Sequence, residues 1–265
     1  MFRRLRRLFR EESRKSQAEA LHTLRFSQRA LESGLARYRF AASMVSGKLV
    51  LDVACGKGYG TALLLKNGAR RVVGVDISEQ ALDFARKSVF HNGADFILAD
   101  ASGLPFKAGS FQIIVSFETL EHLSKSEEFL SEVVRNLSTS GLFILSTPNR
   151  RVFSPFFRSS YSPLHKKEYT LGELAALLRR FFGKIDFFGQ EIIFRWDLLH
   201  YGQRLYHRFF PHRMREGVGR LVPGARGFRS PFSRRRSGII PLSEIHRGEP
   251  MYFVAVATKP VLSKW

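Results

Sequence analysis

Val50-Leu51-Asp52-Val53-Ala54-Cys55-Gly56-Lys57-Gly58-Tyr59-Gly60-Thr61 decides the fold of this 265-residue chain. A short apolar strand, Leu49–Ala54, runs into a turn with glycines at alternate positions, and a helix follows from Thr61 to Lys66. Glycines there let a backbone approach a ligand closely, and the helix start points N–H groups at it. Asp52 stands at the strand end, where a carboxylate can accept from an amino group or reach a water.

Outward from this turn the acids recur. Val72-Val73-Gly74-Val75-Asp76 ends the next strand with an acid about 20 residues on, placed to accept both hydroxyls of a ribose. Leu98-Ala99-Asp100-Ala101 puts a third acid after the third strand, within reach of an adenine amino group. Three acids at consecutive strand ends around one glycine turn outline a nucleoside site at the carboxyl edge of a parallel sheet.

The remaining pattern alternates strand and helix. Strands are expected at Arg71–Val75, Asp95–Leu98, Phe111–Phe117, Gly141–Ser146, Lys184–Gln190 and Met251–Thr258. Helices are expected at Glu79–Phe90, Glu127–Leu137 and Leu171–Phe182, the last opened by Thr170 as N-cap with Glu173 three residues on. Repeated units of this kind imply an α/β fold, seven strands with helices on both faces. The expected division is a helical extension over residues 1–45 and one domain over 46–265, with a basic insertion over 192–249 before the last strand.

Lys and Arg number 43 against 23 acids, a net charge of +20, so the partner is expected to be anionic: lipid surface, nucleic acid or phosphorylated substrate. With one cysteine, Cys55, no intrachain disulfide can form, and the expected location is the cytoplasm. No apolar run reaches the roughly 18 residues of a membrane span. The basic start lacks an apolar core and is not expected to be a secretory signal; its arginines leave a mitochondrial transit peptide open, with Glu11 and Glu12 arguing against one. Phe2, Leu5, Leu8 and Phe9 recur at helical spacing among Arg3, Arg4, Arg6, Arg7 and Arg10. That pattern suits an anionic membrane surface through residues 1–15, and suits equally a solvated helix or a frayed tail. The insertion interleaves arginines, including Arg234–Arg236, with Trp196, Tyr201, Tyr206, Phe209 and Phe210.

The Asp-x-Ala-Cys-Gly-x-Gly-x-Gly turn with its two later acids resembles the class I S-adenosylmethionine-dependent methyltransferases, over about Leu49–Gln190 plus the last strand. A dinucleotide-binding domain would need Gly-x-Gly-x-x-Gly, a spacing absent here. The resemblance implies a Rossmann-like sheet and a cofactor held by Asp52, Ala54, Cys55, Gly56, Gly58, Gly60, Asp76, Ile77, Asp100, Ala101 and Phe117.

After the fourth strand, Phe117-Glu118-Thr119-Leu120-Glu121-His122 brings two carboxylates and an imidazole to one side of a turn, and His165 precedes a later helix. Such a set can bind a hard cation or move protons. Glu-x-x-Glu-His with a later His-x-x-Glu-aromatic resembles two metal-dependent branches: the O-methyltransferase of ubiquinone biosynthesis and the small-RNA 3′-end ribose methyltransferase. Carried over, Mg²⁺ would be held by Glu118, Glu121, His122 and His165. In metal-free relatives Glu-His shapes the pocket instead, which leaves His122 or His165, with Glu121, as catalytic groups. Ser146-Thr147-Pro148-Asn149-Arg150 resembles the ubiquinone-type group and lacks the motif of amino-methylating nucleic-acid enzymes, which favours oxygen as acceptor. Three readings follow. The first is O-methylation of a small-molecule, lipid-linked or glycan hydroxyl at a membrane surface. The second is RNA ribose 2′-O-methylation using residues 204–236. The third is a non-catalytic cofactor-binding scaffold. The first ranks highest, because a purely phosphate-binding arm has no need of Phe2, Leu5 and Phe9.

Overall fold

The computed structural model describes residues 30–89, 92–154, 162, 164–193, 238–245 and 248–260. Helix α1 (30–42) leads into strand β1 (Leu49–Val53), α2 (Tyr59–Lys66), β2 (Arg71–Asp76), α3 (Glu79–Ser88), β3 (Ala94–Leu98) and β4 (Phe111–Phe117). A 3-10 turn (Leu120–His122), α4 (Ser126–Asn136), β5 (Leu137–Pro148), α5 (Arg150–Phe153) and α6 (Leu171–Arg179) follow. Strands β6 (Phe182–Ile193), β7 (Ile239–Pro241) and β8 (Glu249–Pro260) complete one sheet of order β3-β2-β1-β4-β5-β8-β6-β7. The pairs among β1–β5 are parallel, and β8 runs antiparallel to both β5 and β6.

Alternation along the strands sends residues to two covered faces. On one, Leu51 and Val53 of β1 meet Phe129, Leu130 and Val133 of α4 and Leu174 and Leu178 of α6. On the other, Val50 joins Ala41 and Ala42 of α1, Val45 beyond it, and Leu64 and Leu65 of α2. Each buried Val, Leu or Phe among these stabilises the fold by roughly 1.5–3 kcal/mol. The Rossmann-like α/β expectation therefore holds.

Three details differ from the sequence reading. The sheet has eight strands, because Ile239–Pro241, inside the expected insertion, pairs antiparallel with the long outer strand β6. Helix α6 stops at Arg179, and Phe182 instead opens β6, stacking on Phe143 of β5 at 5.6 Å between centroids. Residues 37–45, expected in a separate extension, belong to the sheet's core, since Arg37, Ala41, Ala42 and Val45 are all buried. The basic start (1–15) and the Arg-rich stretch (204–236) lie outside the described residues. Among the described residues no helix is long and apolar enough to cross a membrane.

What positions the site is the seat of α1 on the glycine turn. The Tyr38 hydroxyl donates to Asp52 Oδ1 at 2.9 Å, and a Cβ placed on Gly60 would lie 1.9 Å from the Tyr38 ring. Gly60 is thus required by the ring packed on it. We predict that Gly60→Ala costs about 1–3 kcal/mol by overpacking, measured by urea unfolding. In a Tyr38→Ala background the same change should become neutral or stabilising, because alanine is the better helix former.

Candidate functional site

The mouth of the site lies between the carboxyl ends of β1 and β4, where the strand order reverses. Two non-glycine residues with left-handed backbone flank it, Ala54 (φ 60°) after β1 and Glu118 (φ 54°) after β4. Such strain costs of order 1–3 kcal/mol and persists where the surroundings over-determine it.

At the β1 end, Asp52 is fully buried, with Tyr38 on Oδ1 and the Thr61 hydroxyl donating to Oδ2 at 2.7 Å. Burial pushes its carboxyl up to about 6, against the pull of those two hydrogen bonds. Asp52 therefore acts by fixing the turn, α1 and α2 together. The three glycines differ in what they face. Gly56 (φ 54°) has open space where a Cβ would stand, so this is where a ligand can come close. Gly58 (φ 76°) packs on Ala85 and Phe96, and Gly60 on Tyr38. Cys55 is buried and its thiol is pushed above the range in which it reacts.

Asp76 ends β2 with Oδ2 accepting from Gly56 N–H at 2.8 Å and Oδ1 from Ser78 N–H at 2.9 Å. These bonds hold both oxygens beside the open glycine, with lone pairs left for ribose hydroxyls. Ile77, next in the chain, is 73% exposed. Asp100 takes both donors of Ser102 on Oδ1, which lowers its pKa and secures the charged form, and Ala101 follows it half-buried. Phe117 is buried edge-on to Tyr38 at 4.8 Å. The residues expected around a nucleoside thus come together at one sheet edge.

The β4 end is built by the last residues of β5. The Ser146 hydroxyl donates to Glu118 Oε1 at 2.6 Å and the Thr147 hydroxyl to Glu121 Oε2 at 3.0 Å. Glu121 is buried, and its Oε1 has no hydrogen-bond partner. Burial first, then the charge of Glu118, pushes its carboxyl up to about 9. His122 Nε2 lies 3.9 Å from that orphan oxygen.

His165 is brought over His122 because Lys166 and Lys167 N–H groups both donate to the Glu121 carbonyl, at 2.7 and 3.1 Å. The two imidazoles meet edge-on, 4.9 Å between centroids. His122 Nδ1 donates to the Leu164 carbonyl at 3.0 Å, and His165 Nδ1 to Glu168 Oε1 at 2.7 Å. An acceptor behind each Nδ1 leaves each Nε2 with its lone pair. Ligand atoms of Glu121, His122 and His165 lie within 4.8 Å of one another. Glu118, the fourth expected member, is drawn to Ser146 and to Arg37, whose Nη1 is 3.8 Å from its Oε1. The buried Glu168, which also accepts from the Ser154 hydroxyl at 2.5 Å, was not singled out from sequence; its signal was the His-x-x-Glu spacing. Tyr38, Thr61 and Arg37 were missed as well.

Known proteins bear on this geometry. A family model described as a methyltransferase domain matches residues 51–145. A protein of Mycolicibacterium smegmatis bearing the description "probable S-adenosylmethionine-dependent methyltransferase" is 36% identical over 141 residues, which cover 53% of this chain and 54% of that one. A fatty-acid O-methyltransferase of the same organism is 30% identical over 116 residues, 43% of this chain and 42% of its own. The chain thus spans about half the length, or less, of these relatives. A crystal structure of a methyltransferase from Thermotoga maritima shares the fold at a TM-score of 0.57 and 17% identity, over 89% of this chain and 95% of that one. Strand order, glycine turn and matched segment agree: residues 51–145 match a methyltransferase domain, similar to S-adenosylmethionine-dependent methyltransferases, within a class I fold.

Proposed function

We propose that this protein transfers the methyl group of S-adenosylmethionine to a hydroxyl oxygen, and that Glu121, His122 and His165 receive the hydroxyl. The observation that carries the reading is the pair of imidazoles held at Nδ1 with both Nε2 lone pairs free beside the orphan Glu121 oxygen. A hydroxyl is a poor nucleophile towards a sulfonium methyl until its proton is withdrawn. His165 Nε2 takes that proton as the oxygen–carbon bond forms and the sulfur–carbon bond breaks. Glu168 then holds the imidazolium, and Ser154 holds Glu168.

The donor set also bears on the metal. Two imidazole nitrogens and one carboxylate fit a borderline divalent transition ion. Mg²⁺, which wants an oxygen-rich octahedral shell, fits poorly with Glu118 held by Ser146. A suitable ion on Glu121, His122 and His165 would lower the pKa of a bound hydroxyl.

For the acceptor, the apolar face of Phe2, Leu5 and Phe9 among arginines supports a lipid-linked or glycan hydroxyl presented at an anionic membrane surface, reached from the cytoplasm. The likeness to a fatty-acid O-methyltransferase leans the same way. Label from methyl-labelled cofactor in a host extract is expected in the lipid or glycan fraction. Label confined to RNA would overturn this acceptor class, and cofactor binding with no transfer at all would overturn catalysis in favour of a scaffold.

His165→Ala should lower turnover by about 10²–10⁴-fold with cofactor affinity unchanged, read by single-turnover transfer and by calorimetry. Glu121 gives a pH signature. The folded chain keeps a proton on Glu121 that the unfolded chain releases above its ordinary 4.5, so this stability is full below that pH and is lost as pH rises to about 9. Asp52, raised to about 6, adds the same sign below that pH. Glu121→Gln should therefore flatten the fall in urea-unfolding stability between pH 5 and 9, while lowering transfer.

A further inference from the structure

We propose that Asn149 is the positioning residue that seats Ser154 and Glu168 behind His165, an inference that rests on the reading of His165 above. Asn149 follows β5 directly, is fully buried, and uses each of its polar atoms. Its Oδ1 accepts from Arg151 N–H at 3.0 Å and so caps α5. Its carbonyl accepts from the N–H groups of Val152 and Phe153, each at 2.9 Å. Its Nδ2 donates to the Pro250 carbonyl at 2.9 Å and to Glu249 Oε2 at 3.2 Å, and its N–H to the Met251 carbonyl at 2.9 Å. Asn149 also forms a parallel bridge with Tyr169, whose carbonyl accepts from Arg150 N–H at 2.9 Å. One residue thereby joins β5, α5, the start of β8 and the segment that carries Tyr169.

These junctions lead to His165 from two sides. α5 is a single turn of four residues, and a turn that short depends on its cap to hold its shape. It runs into Ser154, whose N–H donates to the Arg150 carbonyl at 2.9 Å and whose hydroxyl donates to Glu168 Oε2 at 2.5 Å. Glu168 immediately precedes Tyr169, the residue bridged to Asn149, and its Oε1 accepts from His165 Nδ1 at 2.7 Å. Ser154 and Glu168 are both buried, so neither can be reoriented by solvent. Both supports of the imidazole thus take their place from the same buried amide, one through α5 and one through the Tyr169 bridge. A displacement at Asn149 reaches His165 by both routes, and an imidazole turned off its line loses its aim at the acceptor oxygen.

The probe is the Nδ1 proton that His165 shares with Glu168, which a hydrogen bond to a carboxylate moves well downfield in the NMR spectrum of the full chain. Glu168→Ala assigns it by its loss. Asn149→Ser keeps a capping oxygen of equal quality but loses the amide donors to Pro250 and Glu249, whereas Asn149→Ala loses both. Asn149→Ala should displace or abolish the resonance. It should also lower transfer from methyl-labelled S-adenosylmethionine into a host extract by about 10-fold, the lower end of what a supporting residue costs, with cofactor affinity by calorimetry unchanged. Asn149→Ser should leave the resonance in place and transfer faster than Asn149→Ala. In a Ser154→Ala background Asn149→Ala should lower transfer by less than it does alone, because the route through α5 is already cut. Thermal unfolding checks that the variants fold, and Asn149→Ser decides by itself if the alanine variant does not. An unmoved resonance in Asn149→Ala, or a displaced one in Asn149→Ser, would overturn the inference. The resonance needs no acceptor, so full transfer by His165→Ala would overturn the proton-accepting role while the resonance still decides the seating.

Discussion

The buried carboxylate of Asp52 is the constraint on which the site depends. A carboxylate out of water is tolerated only when its oxygens are hydrogen-bonded, and Asp52 meets this with Tyr38 from α1 and Thr61 from α2. Three consecutive elements are thereby pinned at the end of β1. The close fit of the Tyr38 ring requires Gly60 to lack a side chain, and the turn between presents Gly56 to open space. Asp76 then ties that glycine to the end of β2. The geometry of this sheet edge is a consequence of covering one acid.

The end of β4 obeys a related rule with a different outcome. Consecutive β5 residues, Ser146 and Thr147, point to opposite faces, and each serves one carboxylate, Glu118 or Glu121. Glu118 is held near Arg37, while Glu121 keeps an oxygen without a partner beside His122 and His165. Every other part of this cluster has a backing group: Leu164 behind His122, Glu168 behind His165, Ser154 behind Glu168. Orientation is provided in advance for both imidazoles.

Much of this was legible because it is local. The glycine turn, the acids at strand ends and the Thr170–Glu173 capping box each announce themselves within a few residues, and all are found. Two of the residues that were missed, Tyr38 and Arg37, act through partners on other elements. Tyr38 and Arg37 look like ordinary helix residues until the fold sets them against Asp52 and Gln190, 14 and 153 positions away. Gly60 reads as a ligand-facing glycine, and only the Tyr38 ring reveals it as a packing one. Glu118 and Glu121 share a spacing that promises one metal site, yet the left-handed backbone of Glu118 and the Ser146 hydroxyl part them. β7 was hidden because three residues beside an arginine-rich run carry little pattern of their own.

The central claim is that the cofactor's sulfur faces the Glu121–His122–His165 cluster across the space of one acceptor oxygen. A crystal structure with S-adenosylhomocysteine measures this directly. The account predicts adenine at Asp100, ribose at Asp76, and the sulfur turned to the cluster with room for an oxygen roughly 3 Å from His165 Nε2 and in line with the methyl position. A sulfur directed away from the two imidazoles, or walled off from them by protein, would contradict it.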